Sequence, residues 1–326
     1  MKKATPAICG FCVMGALLMM SASSTLIAET GIEEDQVRVM SYNIFRGGTM
    51  RGQPLSQTVK AIQEAKADVV GIQETRSPNG VNAEELAQLL GWNLYEEQRS
   101  LAFGKWSCIL TRFEIVDRRD GGIKIKLTSG QEAYLFNLHL PSNPYQPYQL
   151  LKIRPTWPPH RDTPFLKTEA EAIAAAKEAR GGEISSLLKQ IHSLPDKEAR
   201  VFVVGDFNEP SHLDWTEKAA QSGRHPLKVA YPASQEMAKA GFADAFRTVY
   251  PNEMKKPGIT WTPIMKVDDP KTHHDRIDFV YFRGKNIEVT DAQIVGENEE
   301  NADIVITPYP SDHRAVVATF MIPSAP

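Results

Sequence analysis

Residues 201–208 read Val-Phe-Val-Val-Gly-Asp-Phe-Asn. Four apolar residues in a row, followed by a glycine and then by polar side chains, are typical of a buried β-strand. In α/β sheets, ligands bind beyond the carboxyl ends of the strands, where such polar side chains collect. The segment therefore predicts a central strand that carries Asp206 and Asn208 to one edge of a sheet.

The rest of the chain alternates between predicted strands and predicted helices. Apolar runs predict strands at residues 37–44, 68–74, 108–110, 122–127, 133–140, 276–282 and 316–320. Apolar residues at helical spacing predict helices at residues 56–66, 82–90 and 168–191, where Gly181-Gly182 allows a bend. Segment 141–164 contains seven prolines, so no regular element is expected in it. This alternation predicts an α/β fold in a single domain over residues 29–326.

The composition is that of an ordinary globular protein, with 326 residues, 42% hydrophobic and 24% charged. This balance excludes an intrinsically disordered chain and a small scaffold held by disulfides. Lys and Arg number 37 against 40 Asp and Glu, which gives a formal net charge of -3. Without an excess of positive charge the chain lacks the field that holds a polyanion, so a dedicated nucleic-acid-binding protein is disfavoured.

The first 28 residues have the layout of a secretory signal peptide. Lys2 and Lys3 precede an apolar run at residues 7–20, and small residues follow it. An N-terminal membrane anchor is the alternative, but a run of 14 residues is shorter than the roughly 20 that a spanning helix needs. We therefore expect cleavage after residue 28, export to the periplasm or the extracellular space, and no membrane span in the mature chain.

Export has two consequences for the mature chain. Loss of Lys2 and Lys3 leaves 35 basic against 40 acidic residues, a net charge of -5. One cysteine is left, Cys108, which cannot form an intramolecular disulfide and lies in an apolar stretch. Core packing is therefore expected to stabilise the exported protein, with Cys108 inside the core.

Polar or ionisable side chains follow or flank most of the predicted strands. Each has an ordinary structural role open to it: an asparagine as a turn residue, an aspartate as a cap, a histidine as a satisfied core residue. Taken together, buried apolar runs that repeatedly end in such groups would cost free energy without a shared purpose. The residues concerned are Asn43, Glu74, His139, Asp206, Asn208, Asp278, Asp312 and His313.

Short motifs surround these residues. They occur in the order Ser41-Tyr42-Asn43-Ile44, Gln73-Glu74, Asn137-Leu138-His139, Gly205-Asp206-Phe207-Asn208, Arg276-Ile277-Asp278-Phe279 and Ser311-Asp312-His313, with Thr260-Trp261-Thr262 before the fifth. In this order the set resembles the endonuclease/exonuclease/phosphatase superfamily, whose fold is also called deoxyribonuclease-I-like. The resemblance extends over residues 37–320. It implies a four-layer α/β sandwich, in which two mixed β-sheets lie face to face and helices flank them.

The resemblance also implies metal-dependent hydrolysis of a phosphoester. Glu74 matches the main metal carboxylate of the superfamily, Asn43 matches its amide neighbour, and Asp312 matches a further part of the metal environment. Oxygen ligands of this kind favour a hard divalent cation. Mg²⁺ is therefore the expected cofactor, with Mn²⁺ or Ca²⁺ as alternatives.

Five catalytic side chains are implied by the same resemblance. Asp206 matches the residue that orients or deprotonates the attacking water, and Asn208 matches a donor to a phosphate oxygen. His313 matches the histidine beside the scissile phosphate, and Asp278 matches the carboxylate that holds this histidine. His139 matches a second histidine, which contacts the phosphate or protonates the leaving group.

Substrate contacts are expected from three further residues. Arg112, which follows a predicted strand, offers either a phosphate contact or a solvated strand end. His160 lies in segment 141–164, whose aromatic and cationic side chains predict either a lid over a compact substrate or a surface loop packed on the domain. His274 is expected at the rim of the pocket.

A second metal cluster is conceivable at His273-His274-Asp275, which Asp268 and Asp269 precede. It would suit zinc or manganese. Adjacent histidines point to opposite sides of a strand or loop, however, and rarely bind one ion together. A solvated loop is therefore the preferred interpretation of this segment.

Three functions are consistent with these features. The first is an exported Mg²⁺-dependent phosphodiesterase or phosphatase, which hydrolyses a small or medium phosphorylated substrate by in-line attack of water. The second is an exported non-specific endonuclease for DNA or RNA, which the acidic net charge disfavours. The third is a phosphoester-binding protein that has lost catalysis, which the complete set of eight polar residues disfavours.

Overall fold

Two β-sheets that lie face to face form the centre of the structure. The computed structural model describes residues 34–96, 106–154 and 163–323, which belong to one compact unit. The expected signal peptide at residues 1–28 and His160 lie outside the described residues. The expectations about both therefore stay predictions.

Short strands and a few helices make up the described chain. The strands are β1 (Glu34–Asn43), β2 (Val69–Gln73), β3 (Arg76–Ser77), β4 (Gly80–Val81), β5 (Asn93–Glu96), β6 (Cys108–Thr111), β7 (Glu114–Arg119), β8 (Gly122–Lys126), β9 (Glu132–His139), β10 (Val201–Asp206), β11 (Ala243–Asp244), β12 (Asp278–Arg283), β13 (Glu288–Gly296), β14 (Ile304–Val305) and β15 (Ala315–Pro323). The helices are α1 (Leu55–Glu64), α2 (Ala83–Leu90), α3 (Gln146–Leu151), α4 (Glu169–His192), α5 (Glu217–Gln221), α6 (Pro232–Lys239) and α7 (Ala245–Val249), with a short 3₁₀-helix at Arg46–Gly48. None of the helices in the described ranges combines the length and the apolar character that crossing a membrane requires.

Both large sheets are mixed. The first has the strand order β14-β13-β15-β1-β2-β6-β5, and the second has the order β11-β12-β10-β9-β8-β7. In the first sheet β1 is parallel to β2 and antiparallel to β15. In the second sheet β10 is parallel to β9 and antiparallel to β12. Helices cover the outer faces, so the predicted four-layer α/β sandwich is confirmed.

Apolar side chains fill the space between the four layers. Val39, Phe202 and Val316 belong to the cluster between the two sheets. Helices α1 and α2 pack on the outer face of the first sheet, and α4 and α6 pack on the outer face of the second. Cys108 is buried beneath α1 and α2, which confirms its expected place in the core.

The inward faces of the strands change from apolar to polar at one end. Because side chains alternate along a strand, every second residue of β10 faces the other sheet, which gives Phe202, Val204 and then Asp206. On β1 the same alternation leads from Val39 to Asn43. The polar residues noted in the sequence therefore stand at one open end of the inter-sheet core.

Segment 141–164 contains a helix that the sequence did not predict. Helix α3 accommodates Pro147 because this residue lies in the first turn, where a missing backbone N–H removes no helical hydrogen bond. Strand β13 was also not predicted, since the first half of Glu288–Gly296 is polar and alternates between exposed and half-buried positions. Helix α4 runs through Gly181-Gly182 as one continuous element.

The two sheets approach each other closely at Gly71 in β2. A Cβ atom on this glycine would lie 2.3 Å from Cγ2 of Val204 and 2.7 Å from Oδ1 of Asn137. Contacts this short do not occur in folded proteins, so the residue must lack a side chain. Gly71 thus sets the spacing of the sheets directly beneath their polar end.

We predict that Gly71→Ala lowers the free energy of unfolding by about 1–3 kcal/mol, because the added methyl group overpacks the core. Gly182→Ala is the matched control, since a Cβ atom there has no heavy atom within 4 Å and alanine favours a helix. Urea denaturation followed by circular dichroism measures both changes. An unchanged unfolding midpoint in Gly71→Ala would contradict the proposed close approach of the sheets.

Candidate active site

The carboxylate of Asp206 lies at the centre of the polar end of the core. It is buried, and it accepts hydrogen bonds from Nδ2 of Asn43 (2.9 Å) and from the backbone N–H of Asn208 (2.8 Å). The Nε2 atoms of His139 and His313 lie 3.6 and 3.8 Å from its Oδ2. Side chains from β1, β9, β10 and the segment before β15 therefore meet at one carboxylate.

Glu74 stands beside this carboxylate, directly after β2. Its backbone φ of 61° lies in the left-handed region, which is strained for a residue that has a side chain. The resulting turn brings Oε2 to the backbone N–H of Arg46 (3.0 Å) and Oε1 to Nδ2 of Asn43 (3.1 Å). Nε2 of His139 lies 3.9 Å from Oε1. The turn therefore directs the carboxylate of Glu74 toward Asp206.

Asn43 serves as a hydrogen-bond donor between these two carboxylates. Its amide nitrogen donates to Glu74 and Asp206, and its amide oxygen accepts from the backbone N–H of Phe45 (3.0 Å). The reverse orientation would place the amide oxygen against two carboxylates, which is electrostatically unfavourable. In this orientation Asn43 orients the two carboxylates, and its expected part in the metal environment stays a prediction.

His313 lies between two carboxylates. Its Nδ1 is 3.0 Å from Oδ2 of Asp278, and its Nε2 faces Asp206. Burial alone would lower the pKa of His313, but the charges of Asp278 and Asp206 outweigh burial and hold this pKa well above its ordinary value of 6.5. One ligand atom each from Asp206, Asp278 and His313 lies within 4.8 Å of the others. Because His313 is engaged with Asp278, this trio is better suited to holding a proton than to holding a metal.

Asp312 carries the feature that points most directly to a cation. Its Oδ1 is buried and accepts no hydrogen bond from any residue in the described ranges. Burial, together with the nearby charges of Glu74 and Asp206, raises the pKa of Asp312 to about 6 despite the opposing effect of His313. A buried carboxylate oxygen without a donor beside two further carboxylates fits a hard divalent ion, whose preferred ligands are oxygens.

A buried polar network supports the site from below. Nε2 of Gln73 donates to Oδ1 of Asn137 (2.6 Å), and Nδ2 of Asn137 donates to the backbone oxygens of Ile72 (2.9 Å) and Cys108 (2.8 Å). These bonds join the first sheet to the second one residue beneath Glu74. Gln73 and Asn137 belong to the sequence motifs, but their role as a link between the sheets is visible only in the folded chain.

Ser311 holds the segment that carries Asp312 and His313. Its hydroxyl donates to the backbone oxygen of Asn43 (2.6 Å) and accepts from the backbone N–H of His313 (3.1 Å). Nη1 of Arg51 donates to the Ser311 backbone oxygen (3.1 Å). The position of His313 is therefore coupled to the end of β1, where Asn43 contacts Asp206.

These polar groups open into a cleft of about 570 Å³. Tyr145, Tyr148 and Trp261 form one wall, with ring centroids 5.1 to 5.9 Å apart. Ile264 and Met265 extend the apolar lining. Tyr145 and Tyr148 therefore pack on the domain, as the surface-loop expectation for segment 141–164 has it, and they also line the cleft. The lid over a substrate stays a prediction.

A second cavity of about 400 Å³ adjoins the cleft at Arg46, Glu74 and His139. It is also lined by Arg76 and Trp106, whose guanidinium carbon and ring centroid are 4.3 Å apart. The carboxylates of Glu74 and Asp206 thus lie between two parts of the pocket. We call the part lined by Tyr145, Tyr148 and Trp261 the aromatic branch, and the part lined by Arg46, Arg76 and Trp106 the cationic branch. Sequence reasoning missed Arg46 and Arg76, which no motif distinguishes from other surface arginines.

The structure brings together all eight residues expected in the site. Glu74, His139, Asp206, Asn208, Asp312 and His313 line the cleft, while Asn43 and Asp278 contact lining residues from behind. We call these eight residues the Asp206 cluster.

Two of the three expected substrate contacts lie elsewhere. Nε of Arg112 pairs with Oδ1 of Asp68 (3.0 Å) at the beginning of β2, the end opposite to Glu74. Arg112 is therefore not a phosphate ligand of this site. His274 is not among the described residues that line the cleft, and its Nε2 is buried. His160 lies outside the described residues.

Comparison with known proteins places the chain in a family. A model of the Endonuclease/Exonuclease/phosphatase family matches residues 40–313. An uncharacterised protein, F14F9.5, of Caenorhabditis elegans is 28% identical over 306 residues, which cover 87% of this chain and 91% of that protein.

Two solved structures illustrate the likeness in fold. An endonuclease/exonuclease/phosphatase from Bacteroides vulgatus has a TM-score of 0.54 at 15% identity, and covers 88% of this chain and 98% of its own. An AP endonuclease from Archaeoglobus fulgidus has a TM-score of 0.52 at 14% identity, and covers 86% of this chain and 98% of its own. The chain therefore belongs to the Endonuclease/Exonuclease/phosphatase family, whose members are metal-dependent phosphoester hydrolases.

Proposed function

We propose that the protein is an exported, Mg²⁺-dependent phosphodiesterase or phosphatase that acts on a small or medium phosphorylated molecule. The observation that carries this proposal is the convergence of the Asp206 cluster at the floor of one cleft. The cluster supplies carboxylates for a cation, a carboxylate beside which a water molecule fits, and two imidazoles that face the same point.

Glu74 and Asp312 are the residues that would hold the cation. Both line the cleft, and Asp312 has the buried oxygen that lacks a hydrogen-bond donor among the described residues. Oxygen ligands of this kind favour Mg²⁺, and Mn²⁺ or Ca²⁺ are the alternative ions for the same ligands. A bound divalent ion supplies neutralisation of the phosphate oxygens and of the charge that develops on them.

Asp206 is placed to receive a proton from the attacking water. Its carboxylate is held by Asn43 on one side and by Asn208 on the other, so it cannot rotate freely. A fixed base within hydrogen-bonding reach of the water increases the rate because its orientation requires no reorganisation during the reaction. Asn208, whose φ of 47° is also left-handed, is held by the same contacts at the cleft surface.

The two histidines are assigned to the phosphate and to the leaving group. His313 keeps its proton because of Asp278 and Asp206, so it presents a positively charged donor to the phosphate. His139 is less buried and lies between Glu74 and Asp206, at the junction of the two branches of the cleft. This place suits a group that contacts the phosphate or protonates the departing oxygen.

The cleft suits a compact substrate with an apolar or aromatic part. Its volume is within the range of small-molecule sites, and Tyr145, Tyr148 and Trp261 offer ring faces and edges. The negative net charge of -3 counts against tight binding of duplex DNA. Export to the periplasm or the extracellular space is proposed from the first 28 residues alone.

An exported nuclease is the second candidate. The observation that favours it is the cationic branch, where the exposed ring of Trp106 stacks with Arg76 beside Arg46. Exposed aromatic rings beside arginines bind single-stranded nucleic acids by stacking and by contacts to phosphate. The two candidates use the same Asp206 cluster and differ in the branch that holds the substrate.

We predict that the purified protein hydrolyses a chromogenic phosphodiester or phosphomonoester with Mg²⁺ and loses this activity in a chelator. Plasmid DNA and a single-stranded oligonucleotide, assayed in parallel, distinguish the second candidate. Rapid cleavage of either nucleic acid with slow turnover of the small substrates would overturn the first candidate. Inactivity on all substrates in the presence of metal would contradict both hydrolase proposals and favour a binding protein.

We also predict that Asp206→Asn and His313→Ala each reduce kcat/KM by roughly 10²–10⁴-fold, the contribution typical of a general acid or base. Arg112→Ala is the control, because this residue pairs with Asp68 at the far end of β2. Circular dichroism verifies that all three variants are folded. Wild-type rates in either cluster variant would remove that residue from the mechanism.

A further inference from the structure

Three side chains from two separate segments of the chain meet behind the aromatic wall of the cleft. Nδ1 of His225 lies 3.1 Å from Nε2 of His273, and this Nε2 lies 3.8 Å from Oδ1 of Asp275. One ligand atom of each residue lies within 4.8 Å of the others. We propose that His225, His273 and Asp275 form a second metal site, which takes a zinc-type transition-metal ion and is separate from the Asp206 cluster.

The donor atoms have the spacing that such an ion requires. Tetrahedral zinc binds histidine nitrogen and carboxylate oxygen at about 2.0–2.2 Å, so neighbouring ligand atoms are about 3.4 Å apart. The two observed separations, 3.1 and 3.8 Å, lie on either side of this value. The third pair of donor atoms lies within 4.8 Å, so small side-chain movements would bring three ligands to one ion, with water as the fourth ligand. Two imidazoles and one carboxylate also suit zinc better than Mg²⁺.

The protonation of the imidazoles agrees with metal binding. A contact of 3.1 Å between two ring nitrogens requires a lone pair on at least one of them. The facing atoms are Nδ1 of His225 and Nε2 of His273, so at least one nitrogen lone pair points into the cluster. An ion would take the place of the proton that the two rings now share.

Outer hydrogen bonds hold the proposed ligands in place. Oδ1 of Asp275 accepts from Nε1 of Trp215 (2.8 Å), and Oδ2 accepts from the hydroxyl of Tyr145 (2.6 Å). The ring of His225 stacks on Trp215 with centroids 4.2 Å apart. Partners of this kind orient the ligands of known metal sites and strengthen binding. The side chain of His273 is 16% exposed, which leaves a path for the ion.

The proposed site differs from the His273-His274-Asp275 cluster that the sequence suggested. His274 was adjacent to His273 and Asp275 in that hypothesis, but its ring lies outside the trio. His225 takes its place from a loop 48 residues away. This arrangement avoids the difficulty of adjacent histidines, because the two rings come from different segments.

A metal here would stabilise the wall of the cleft. Asp275 holds Tyr145 through its side chain, and its backbone pairs with that of Trp261. Both aromatic residues line the cleft, and Trp261 also pairs with the backbone of His313. The site is therefore placed to order the substrate pocket, and it stands independently of the reaction at the Asp206 cluster.

The test is a titration of chelator-treated, full-length protein with Co²⁺ and Zn²⁺. To remove binding at the Asp206 cluster, it is carried out in an Asp206→Asn, Glu74→Gln background. Cobalt in a site with imidazole ligands gives visible absorption bands, and thermal unfolding reports binding of zinc. We expect one equivalent bound in this background, and a loss of affinity of at least about 100-fold when His225→Asn or His273→Gln is added. His274→Gln is the matched control and is expected to retain full affinity.

Two results would overturn the proposal. The first is no binding in the double-variant background, which would identify the trio as a hydrogen-bonded network only. The second is unchanged affinity in both His225→Asn and His273→Gln. Because His225 is buried, His225→Asn could lose metal affinity by misfolding. His273 is only half-buried, so a loss of affinity in both variants is not explained by misfolding. The unfolding midpoint without metal shows whether each variant is folded.

Discussion

Burial of negative charge between the two sheets is the constraint on which this structure depends. Asp206 stands where the inward face of β10 would otherwise continue as core, and an unpaired carboxylate there would be strongly destabilising. Donors from Asn43 and Asn208, together with the imidazole of His313, offset this penalty. Each donor belongs to a different part of the chain, so the site forms only when both sheets have packed. Folding and assembly of the site are therefore a single event.

The close approach of the sheets makes this arrangement rigid. Gly71 allows Val204 and Asn137 to come near β2, and Asn137 then uses its whole amide to bond Gln73 and two backbone oxygens of the first sheet. A buried network of hydrogen bonds between two sheets favours one relative position of the layers. The carboxylates of Glu74 and Asp206 are consequently held at a fixed separation, which metal binding and orientation of water both require.

The sequence predicted the four-layer architecture through its resemblance to a known superfamily. It also predicted that the polar strand ends share one site, because they would be costly to bury unless they met there. The sequence did not predict the places of residues that depend on strand direction or on contacts between distant segments. Arg112 follows β6, which is antiparallel to β2, so the end of β6 lies at the opposite edge from Glu74. His225 belongs to no local pattern, and its contact with His273 results from the folding of two separate loops.

The central claim is that Glu74 and Asp312 hold one divalent cation beside the carboxylate of Asp206. Anomalous diffraction from a crystal soaked in Mn²⁺, a heavier substitute for Mg²⁺, tests this claim most directly. We predict an anomalous peak in the cleft within coordination distance of Glu74, with the free oxygen of Asp312 turned toward it. A peak confined to other parts of the surface, with the carboxylates of the cluster unshifted and bare at saturating Mn²⁺, would contradict the claim.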